Sequence, residues 1–523
     1  MRITVVAVVA ALLAGTAQVS PPRYDLAIVG GRVLDGSGAA ARRADIAISQ
    51  GRIAAIGIVP VSEARQQIDA TGLIVAPGFI DVHTHGDDLA EHPLAENFVR
   101  MGVTTIIAGN CGSSALDVGE ALGEISRFGA SVNFATLIGH NTVRSAVMGS
   151  NNRLPTIPDL AKMRSLVWRA MADGALGFST GLQYVPGTYA KAPEIIDLAR
   201  VAGNAGGVYA THMRNEGTAL EVALEESIRV GFTTGARVQI SHLKVDSPSR
   251  WGASEKALAM IDAARARGVD VMADQYAYTA ASSTLGIRFP SWVLEGGQPA
   301  IAARLNDPEQ WARIRKEMIG LLAERGLADL SFAVVASHSA NPALNGLTMK
   351  QVAAKLKGSE SADAQLEAAR DLMLANGASM VYHFMSDQDV ERIMRHPFVQ
   401  FGSDSGLLTF GSGVPHPRGY GNAARILGEY VNARHVLPLE EAVRKMTSLP
   451  ARHFRLDRRG LLKEGFAADV VVFDTRAVHD AATFEKPHQY AEGIPYVVVN
   501  GEVVVRKGEH TRARPGQALT RGK

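Results

Sequence analysis

Two patterns of hydrophobic and polar residues divide the chain into a long central part and two shorter ends. Near the N-terminus, three short runs alternate apolar and polar positions between Gly and Asp turns, at residues 25–34, 45–49 and 51–57. Matching runs return at 468–474 and 496–505. Such alternation is typical of antiparallel strands. We therefore predict that the two ends, residues 21–75 and 455–515, pair into one small β-sandwich domain.

Between residues 76 and 454 the pattern changes to short apolar strands that alternate with helical stretches. This alternation predicts an α/β fold with a parallel sheet. Eight strand candidates end at His83, Cys111, His140, Ser179, His212, His242, Asp274 and Asp404. Eight parallel strands predict a (β/α)8, TIM-like barrel. The stretch from about 285 to 380 is too long for one crossover, so we expect an inserted segment there.

Composition limits the classes of partner that this chain could have. Its 523 residues exceed what one hydrophobic core usually supports, and 46% of them are hydrophobic, as in ordinary globular proteins. The 54 basic and 52 acidic residues leave a formal net charge of +2, without a basic run. We therefore expect no nucleic-acid partner.

The first 20 residues have the features of a secretory signal peptide. Arg2 precedes an apolar stretch at 5–13, and small residues follow at 15–17. A single membrane anchor is the alternative, but the apolar run is short for a bilayer span. We expect cleavage, no stable membrane anchor afterwards, and an exported protein, periplasmic in a bacterium. The single cysteine, Cys111, excludes an intrachain disulfide.

Metal-binding residue types stand where the predicted strands end, and barrel active sites lie at that rim. His83 and His85 are two residues apart on an extended segment, so both side chains point to one face. Alone, this pair could be two buried histidines bonded to the backbone. His212 and His242 could likewise be structural, and Asp404 could be a helix N-cap. Their conjunction at separate strand ends predicts a metal site.

Cys111 allows two interpretations. It could be a small buried residue in the Gly-Asn-Cys-Gly turn, or a thiolate metal ligand. Thiolates bind Zn²⁺ tightly, and the flanking glycines permit a close approach of the backbone. The position at a strand end, in a protein expected to be exported, favours the ligand.

Several segments together resemble one family. Residues 76–86 (APGFIDVHTHG) and 459–474 resemble the amidohydrolase superfamily. Within it, the chain is similar to the N-acyl-D-amino-acid deacylases, or D-aminoacylases. The segments that carry this closer resemblance are 108–112, 137–141, 174–187, 211–216, 240–244 and 416–418. The resemblance implies a metal-dependent hydrolase that cleaves the linear amide bond of a small N-acyl-D-amino acid.

The resemblance also implies roles for the metal-binding residues. Cys111, His212 and His242 would hold a tightly bound Zn²⁺, and His83 with His85 would form a weaker second site. Asp404 would be the catalytic acid and base. Many superfamily members bridge two metals with a carboxylated lysine, but Lys162 and Lys191, which lie between Cys111 and His212, do not end a strand. The bridging role is therefore either taken by Cys111 or absent.

The expected chemistry suggests further candidates. Asp404 would take a proton from the attacking water and deliver it to the leaving amine. His140 or Tyr184 would assist the metal in stabilising the oxyanion. The substrate carboxylate needs cationic or hydroxyl partners, and the candidates are Lys244, Arg418, Tyr184 and Tyr276.

Other functions fit the same fold. A cyclic-amide hydrolase, such as a hydantoinase or dihydroorotase, is one alternative, although the missing lysine argues against it. A dipeptidase on the same barrel is another, because fold alone does not set the substrate. A periplasmic binding protein would explain a barrel pocket but not four histidines and an aspartate at its rim.

Overall fold

The structure of the protein is a computed structural model that describes residues 22–521. The predicted signal peptide, residues 1–20, lies outside this range. Within residues 22–521, no helix combines the length and the apolar character that a membrane crossing requires.

A parallel sheet of eight main strands forms the centre of a mixed α/β fold. In chain order, these strands are β1 (Phe79–Asp81), β2 (Val103–Ala108), β3 (Asn133–Thr136), β4 (Gly177–Gly181), β5 (Val208–His212), β6 (Arg237–Ile240), β7 (Val271–Gln275) and β8 (Val399–Phe401). All eight predicted strands are present. β1, β2 and β3 pair in parallel as one group, and β4 to β8 pair in parallel, each with its neighbour in chain order, as a second group, which the short strand Ile138–Gly139, just beyond β3, joins by pairing with β4. This order is that of the TIM-barrel type.

The first and last strands of this series also meet. Just beyond β1, Thr84–His85 pairs in parallel with Ser405–Gly406, just beyond β8. The backbone N–H of Asp404 donates to the carbonyl of His83 over 2.8 Å. Residues that are distant in the sequence, His83 and Asp404, are therefore neighbours at the same edge of the sheet.

The fold has an inner layer of buried, apolar strands and an outer layer of helices with defined caps. All six residues of β2 are buried, as expected for a strand covered on both faces. The helices that surround the parallel strands are Glu96–Val99, Val118–Phe128, His140–Met148, Ile157–Asp173, Ala192–Asn204, Leu220–Thr234, Ser254–Ala266, Asp387–Arg395, Arg418–Arg425, Leu439–Met446 and Ser448–His453, with a π-helix at Ile426–Ala433. The longest of them, Ile157–Asp173, begins at a capping box on Thr156 and ends at the left-handed Gly174.

The inserted segment lies between β7 and β8. It contains a three-stranded antiparallel sheet, in which Ser379–His383 lies between Ala280–Thr284 and Ala333–Ser337. Its helices are Gln298–Asn306, Pro308–Glu324, Met349–Lys357 and Ala362–Leu374. The first strand of this sheet precedes the predicted start at about 285, because its short alternating stretch follows directly on the end of β7.

The two ends of the chain share one sheet. Ile74–Pro77 pairs antiparallel with Val470–Phe473, which places Val75 opposite Val472. The other strands of this seven-stranded sheet are Arg32–Val33, Arg42–Arg43, Tyr496–Val499, Glu502–Arg506 and Glu509–His510. A second sheet comprises Tyr24–Val29, Asp45–Ser49, Arg52–Gly57 and Ala64–Asp69. Apolar side chains from both sheets, including Ile46 and Val470, form one cluster.

Candidate metal centre and active site

The C-terminal ends of the parallel strands bring six metal-binding side chains together. They are His83 and His85 beyond β1, Cys111 beyond β2, His212 at the end of β5, His242 beyond β6 and Asp404 beyond β8. All are buried except His85, whose side chain is 37% exposed. Cys111, His242 and Asp404 have positive φ angles of 52°, 36° and 52°. Such angles are uncommon for residues other than glycine, and they recur at functional sites.

Three of these side chains form a compact group around Cys111. Its Sγ lies 3.4 Å from His242 Nε2 and 3.8 Å from His212 Nδ1. The two imidazole nitrogens are 2.9 Å apart. Ligand atoms bound tetrahedrally to Zn²⁺ at about 2.0–2.3 Å lie roughly 3.5 Å from one another. Both the spacing and the N/S donor set therefore fit a zinc ion.

A second group adjoins the first. Asp404 Oδ1 lies 3.0 Å from His85 Nε2 and 3.4 Å from His83 Nε2. Cys111 Sγ is also 3.3 Å from His83 Nε2, so the thiol stands between the two groups. Lys162 and Lys191 are both exposed. Lys162 lies in the helix Ile157–Asp173, and Lys191 directly precedes the helix Ala192–Asn204. Neither lysine therefore reaches the position between the two groups, where Cys111 lies.

The electrostatics of the centre favour ionised ligands. Burial raises the pKa of the Cys111 thiol, but His83 and His242 more than offset this, so the pKa lies well below its usual value. Burial lowers the pKa of His85, whereas its hydrogen bond to the Asp404 carboxylate raises it, to about 10 overall. Burial raises the pKa of Asp404, but Arg418 and the imidazoles bring it well below its usual value. A thiolate and a carboxylate thus face several imidazoles.

Carboxylates behind the centre orient its histidines, and the sequence analysis did not single them out. Asp274 Oδ1 lies 3.2 Å from His83 Nδ1 and accepts from the backbone N–H of His242. Asp81 accepts from the N–H of His83 and from that of Ser403. Asp274 is the penultimate residue of β7 and was predicted to end a strand, so its place at the rim was a signal that could have identified its role.

Glu216 is a third missed carboxylate. It is only 2% exposed and lies 2.9 Å from His242 Nδ1 and 2.8 Å from Lys244 Nζ. It follows His212 by four residues, in the loop after β5. An acidic residue only four positions after a predicted ligand histidine was the sequence signal that could have identified Glu216.

A cavity of about 1120 Å³ opens beside the metal centre. Its lining includes the centre residues His85, Cys111 and Asp404, the loop residue Tyr184, and apolar side chains of the insertion such as Leu285. Tyr184 Oη lies 3.1 Å from Ser283 Oγ, and its ring centroid is 4.6 Å from that of His212. Burial raises the pKa of Tyr184 well above its usual value, so its hydroxyl remains a donor. The structure therefore brings Tyr184 to the reaction centre.

Two predicted substrate-binding cations are already paired. Lys244 Nζ lies 2.8 Å from Glu216, and Arg418 Nη2 lies 3.0 Å from Asp404 Oδ2. Both line the cavity or the smaller recess beside it. Arg418 Nη1 has no hydrogen-bond partner within residues 22–521. Arg418 is thus a neighbour of the expected acid–base residue, a contact that the sequence did not predict.

The structure does not support two of the predicted contacts. The Tyr276 hydroxyl points to Met385 Sδ at 3.6 Å, and its ring lies under Arg418, so it offers no donor to the cavity. His140 is fully buried at the start of a helix, with Nε2 2.9 Å from Glu194. Its position after a strand end was misleading, because the ring turns into the helical layer and away from the cavity lining.

Arg288 is a cation that the sequence analysis missed. It is 8% exposed and lines the recess that also contains Tyr184, Lys244 and Asp404. Its guanidinium carbon lies 4.5 Å from the ring centroid of Tyr382. No carboxylate of residues 22–521 pairs with it, and its Nε has no hydrogen-bond partner there. A buried, unpaired guanidinium beside a cavity is suited to bind an anion.

Comparisons with known proteins agree with this geometry. Residues 66–505 match the amidohydrolase family. The chain is 36% identical to a D-aminoacylase of Alcaligenes xylosoxydans xylosoxydans, over 95% of this chain and 98% of the relative. It is 37% identical to an N-acyl-D-glutamate deacylase of the same organism, over 95% and 97% of the two chains.

A solved structure extends the similarity to three dimensions. It is an N-acyl-D-glutamate deacylase from Bordetella bronchiseptica, in complex with zinc and a phosphonate inhibitor that mimics the tetrahedral intermediate. The match has a TM-score of 0.82 and 35% identity, and it covers 95% of this chain and 99% of the other. The chain therefore belongs to the amidohydrolase family, and within it to the N-acyl-D-amino-acid deacylases, as the motifs of its sequence indicate.

Proposed function

We propose that the protein is a zinc-dependent hydrolase that cleaves the amide bond of N-acyl-D-amino acids to a carboxylate and a free D-amino acid. The observation that carries this proposal is the convergence of Cys111, four histidines and Asp404, each within hydrogen-bonding distance of at least one other member of the group. The nearly full-length similarity to two deacylases of N-acyl-D-amino acids supports the substrate class.

The donor set assigns the metal positions within this proposal. Cys111, His212 and His242 would hold one zinc ion tightly, and His83 with His85 would provide a weaker second position beside Asp404. When bound, a divalent metal ion polarises the amide carbonyl and lowers the pKa of water to about 7. The centre therefore supplies electrophilic assistance next to a carboxylate.

The protein's own groups complete the reaction. Asp404 Oδ1 faces the centre, where it accepts the proton of the attacking water and then donates it to the leaving nitrogen. Arg418 holds the other oxygen, Oδ2, and thereby fixes the orientation of the carboxylate. The Tyr184 hydroxyl is positioned at the cavity wall to donate a hydrogen bond to the oxygen that becomes negative.

Charge pairing indicates where the substrate carboxylate binds. Lys244 and Arg418 each have a carboxylate within 3.0 Å, and Arg288 has none within the described chain. We therefore assign the substrate carboxylate to Arg288, with Lys244 and Arg418 as neighbours that add positive potential. This differs from the sequence-based hypothesis, in which Lys244 and Arg418 were the direct partners.

We further propose that residues 76–454 form a closed (β/α)8 barrel and that residues 21–75 with 455–515 form a β-sandwich domain. The pairing beyond β1 and β8 supports closure, and the pairing of Ile74–Pro77 with Val470–Phe473 supports a shared domain. We also propose that residues 1–20 are removed on export, which N-terminal sequencing of the mature protein would test.

Amine release from paired substrates tests the function. Zinc-supplemented protein is assayed with N-acetyl-D- and N-acetyl-L-amino acids, a hydantoin and a dipeptide. We expect release from the D series only, and its loss after treatment with a chelator. Turnover of the hydantoin or the dipeptide alone would instead favour a cyclic-amide hydrolase or a dipeptidase. Purified protein that contains no metal but binds a ligand would favour a binding protein.

A further inference from the structure

Glu216 lies on the side of the metal centre opposite to Cys111. His242 Nε2 and His212 Nδ1 face the Cys111 thiol, and the other nitrogen of each ring faces Glu216. The distances are 2.9 Å from His242 Nδ1 to Glu216 Oε1 and 3.8 Å from His212 Nε2 to Glu216 Oε2. One buried carboxylate therefore stands behind both imidazoles.

Two neighbours compete for the same nitrogen of His242. Lys244 Nζ, 2.8 Å from Nδ1, makes a hydrogen bond to this nitrogen, whereas Glu216 Oε1 lies 2.9 Å from Nδ1 without a hydrogen bond. A proton on Nδ1 leaves the Nε2 lone pair free for a metal, and a proton on Nε2 blocks it. Lys244 has other acceptors in Glu216 Oε2 at 2.8 Å and the carbonyl of His242 at 2.9 Å. Glu216 Oε1 has no hydrogen-bond partner within residues 22–521, so it is an unused acceptor beside Nδ1, while Oε2 attracts the ammonium group of Lys244.

The loop geometry holds Glu216 in this position. Its carbonyl accepts from the backbone N–H of Asp246 over 2.9 Å. At Gly217, an added Cβ would come within 2.1 Å of Asp246 and 2.0 Å of Ser247 side-chain atoms. Only glycine permits this close approach of the loop after β5 to the segment after β6.

We infer that Glu216 is a positioning residue that favours a proton on His242 Nδ1, so that Nε2 presents its lone pair to the metal beside Cys111. Its negative charge, 3.8 Å from His212 Nε2, favours a proton on that nitrogen in the same way and leaves Nδ1 to the metal. The inference rests on the proposed function, because it concerns the affinity of the same centre for zinc. The contribution of Glu216 is the ring orientation and proton placement of two ligands, together with neutralisation of Lys244.

Zinc affinity of metal-free protein, measured by competition with a chromophoric chelator, tests this role without relying on activity. For Glu216→Gln, the dissociation constant for zinc is expected to rise about 10- to 100-fold, the range typical of lost partners of ligand histidines. Glu216→Gln leaves the buried Lys244 without a charged partner, which could prevent folding. The double variant Glu216→Met with Lys244→Met removes both charges together and avoids this problem. Unlike Gln, Met offers no acceptor oxygen to the imidazole, so at least the same loss of affinity is expected.

Glu194→Gln is the matched control. Glu194 is also a buried carboxylate between a histidine and a cation, His140 and Arg144, but outside the centre. Its zinc affinity is expected to stay within about twofold of the parent, in contrast to the Glu216 variants. If Glu216→Gln and the double variant both bind zinc as tightly as the parent, the inference about Glu216 is wrong, but the proposed function is unaffected. A parent protein that takes up no zinc would overturn the proposed function with it.

Discussion

Replacement of Arg288 by Met provides a quantitative test of how the cavity recognises its substrate. The guanidinium is 8% exposed, packs on Tyr382 and has no carboxylate partner within residues 22–521. Hydrogen bonds to charged groups contribute about 1.5–3 kcal/mol. At about 1.4 kcal/mol per tenfold, the loss of one such bond corresponds to roughly a 10- to 150-fold decrease in kcat/KM.

The assay compares two substrates that differ only in charge, an N-acetyl-D-amino acid and its C-terminal amide. Arg288→Met should lower kcat/KM for the acid by the full factor and leave the amide nearly unaffected. Met keeps an unbranched apolar side chain against Tyr382, so the melting temperature should not fall substantially. Lys244→Met serves as the comparison, and its effect on the acid should be smaller because Glu216 already neutralises Lys244.

An equal loss on the acid and the amide would refute this reasoning, because Arg288 would then act on structure and not on the carboxylate. A carboxylate-specific loss in Lys244→Met, with none in Arg288→Met, would return the carboxylate site to Lys244. In that case the pairing of Lys244 with Glu216 would have to open when substrate binds.

Three other predictions concern catalysis and pH. Asp404→Asn should lower kcat about 10²- to 10⁴-fold in protein that still binds zinc, because the proton carrier is lost; unchanged kcat would exclude this role. Arg418→Gln should lower kcat for acid and amide substrates alike, because it removes the cation that depresses the pKa of Asp404; a rise in KM for acids alone would contradict this. Burial lowers the pKa of His453 from 6.5 to about 3. Between these two pH values the unfolded chain binds a proton that the folded chain excludes. The free energy of unfolding should therefore fall as the pH falls from about 6.5 towards 3. In urea unfolding, His453→Leu should reduce this slope by up to about 1.4 kcal/mol per pH unit; an unchanged slope would assign the acid sensitivity to other groups.

The sequence by itself determined the secondary structure and the residue types at the rim. The eight strand segments are all present, because strands covered on both faces are rich in apolar residues and stand out from the helical stretches between them. The positions of His83, His212 and Asp404 at strand ends indicated a common location, since parallel strands place their carboxyl ends at one edge. Local pattern and chain order are sufficient for these conclusions.

The tertiary structure alone decided which side chains face the centre and which partners they have. His140 and Tyr276 stand near strand ends, as Tyr184 does, yet their rings turn towards Glu194 and Met385. Arg288 belongs to the insertion, and no local pattern indicated that it would reach the recess unpaired. Side-chain direction and ion pairing depend on packing between segments that are far apart in the chain, and strand periodicity carries no information about such contacts.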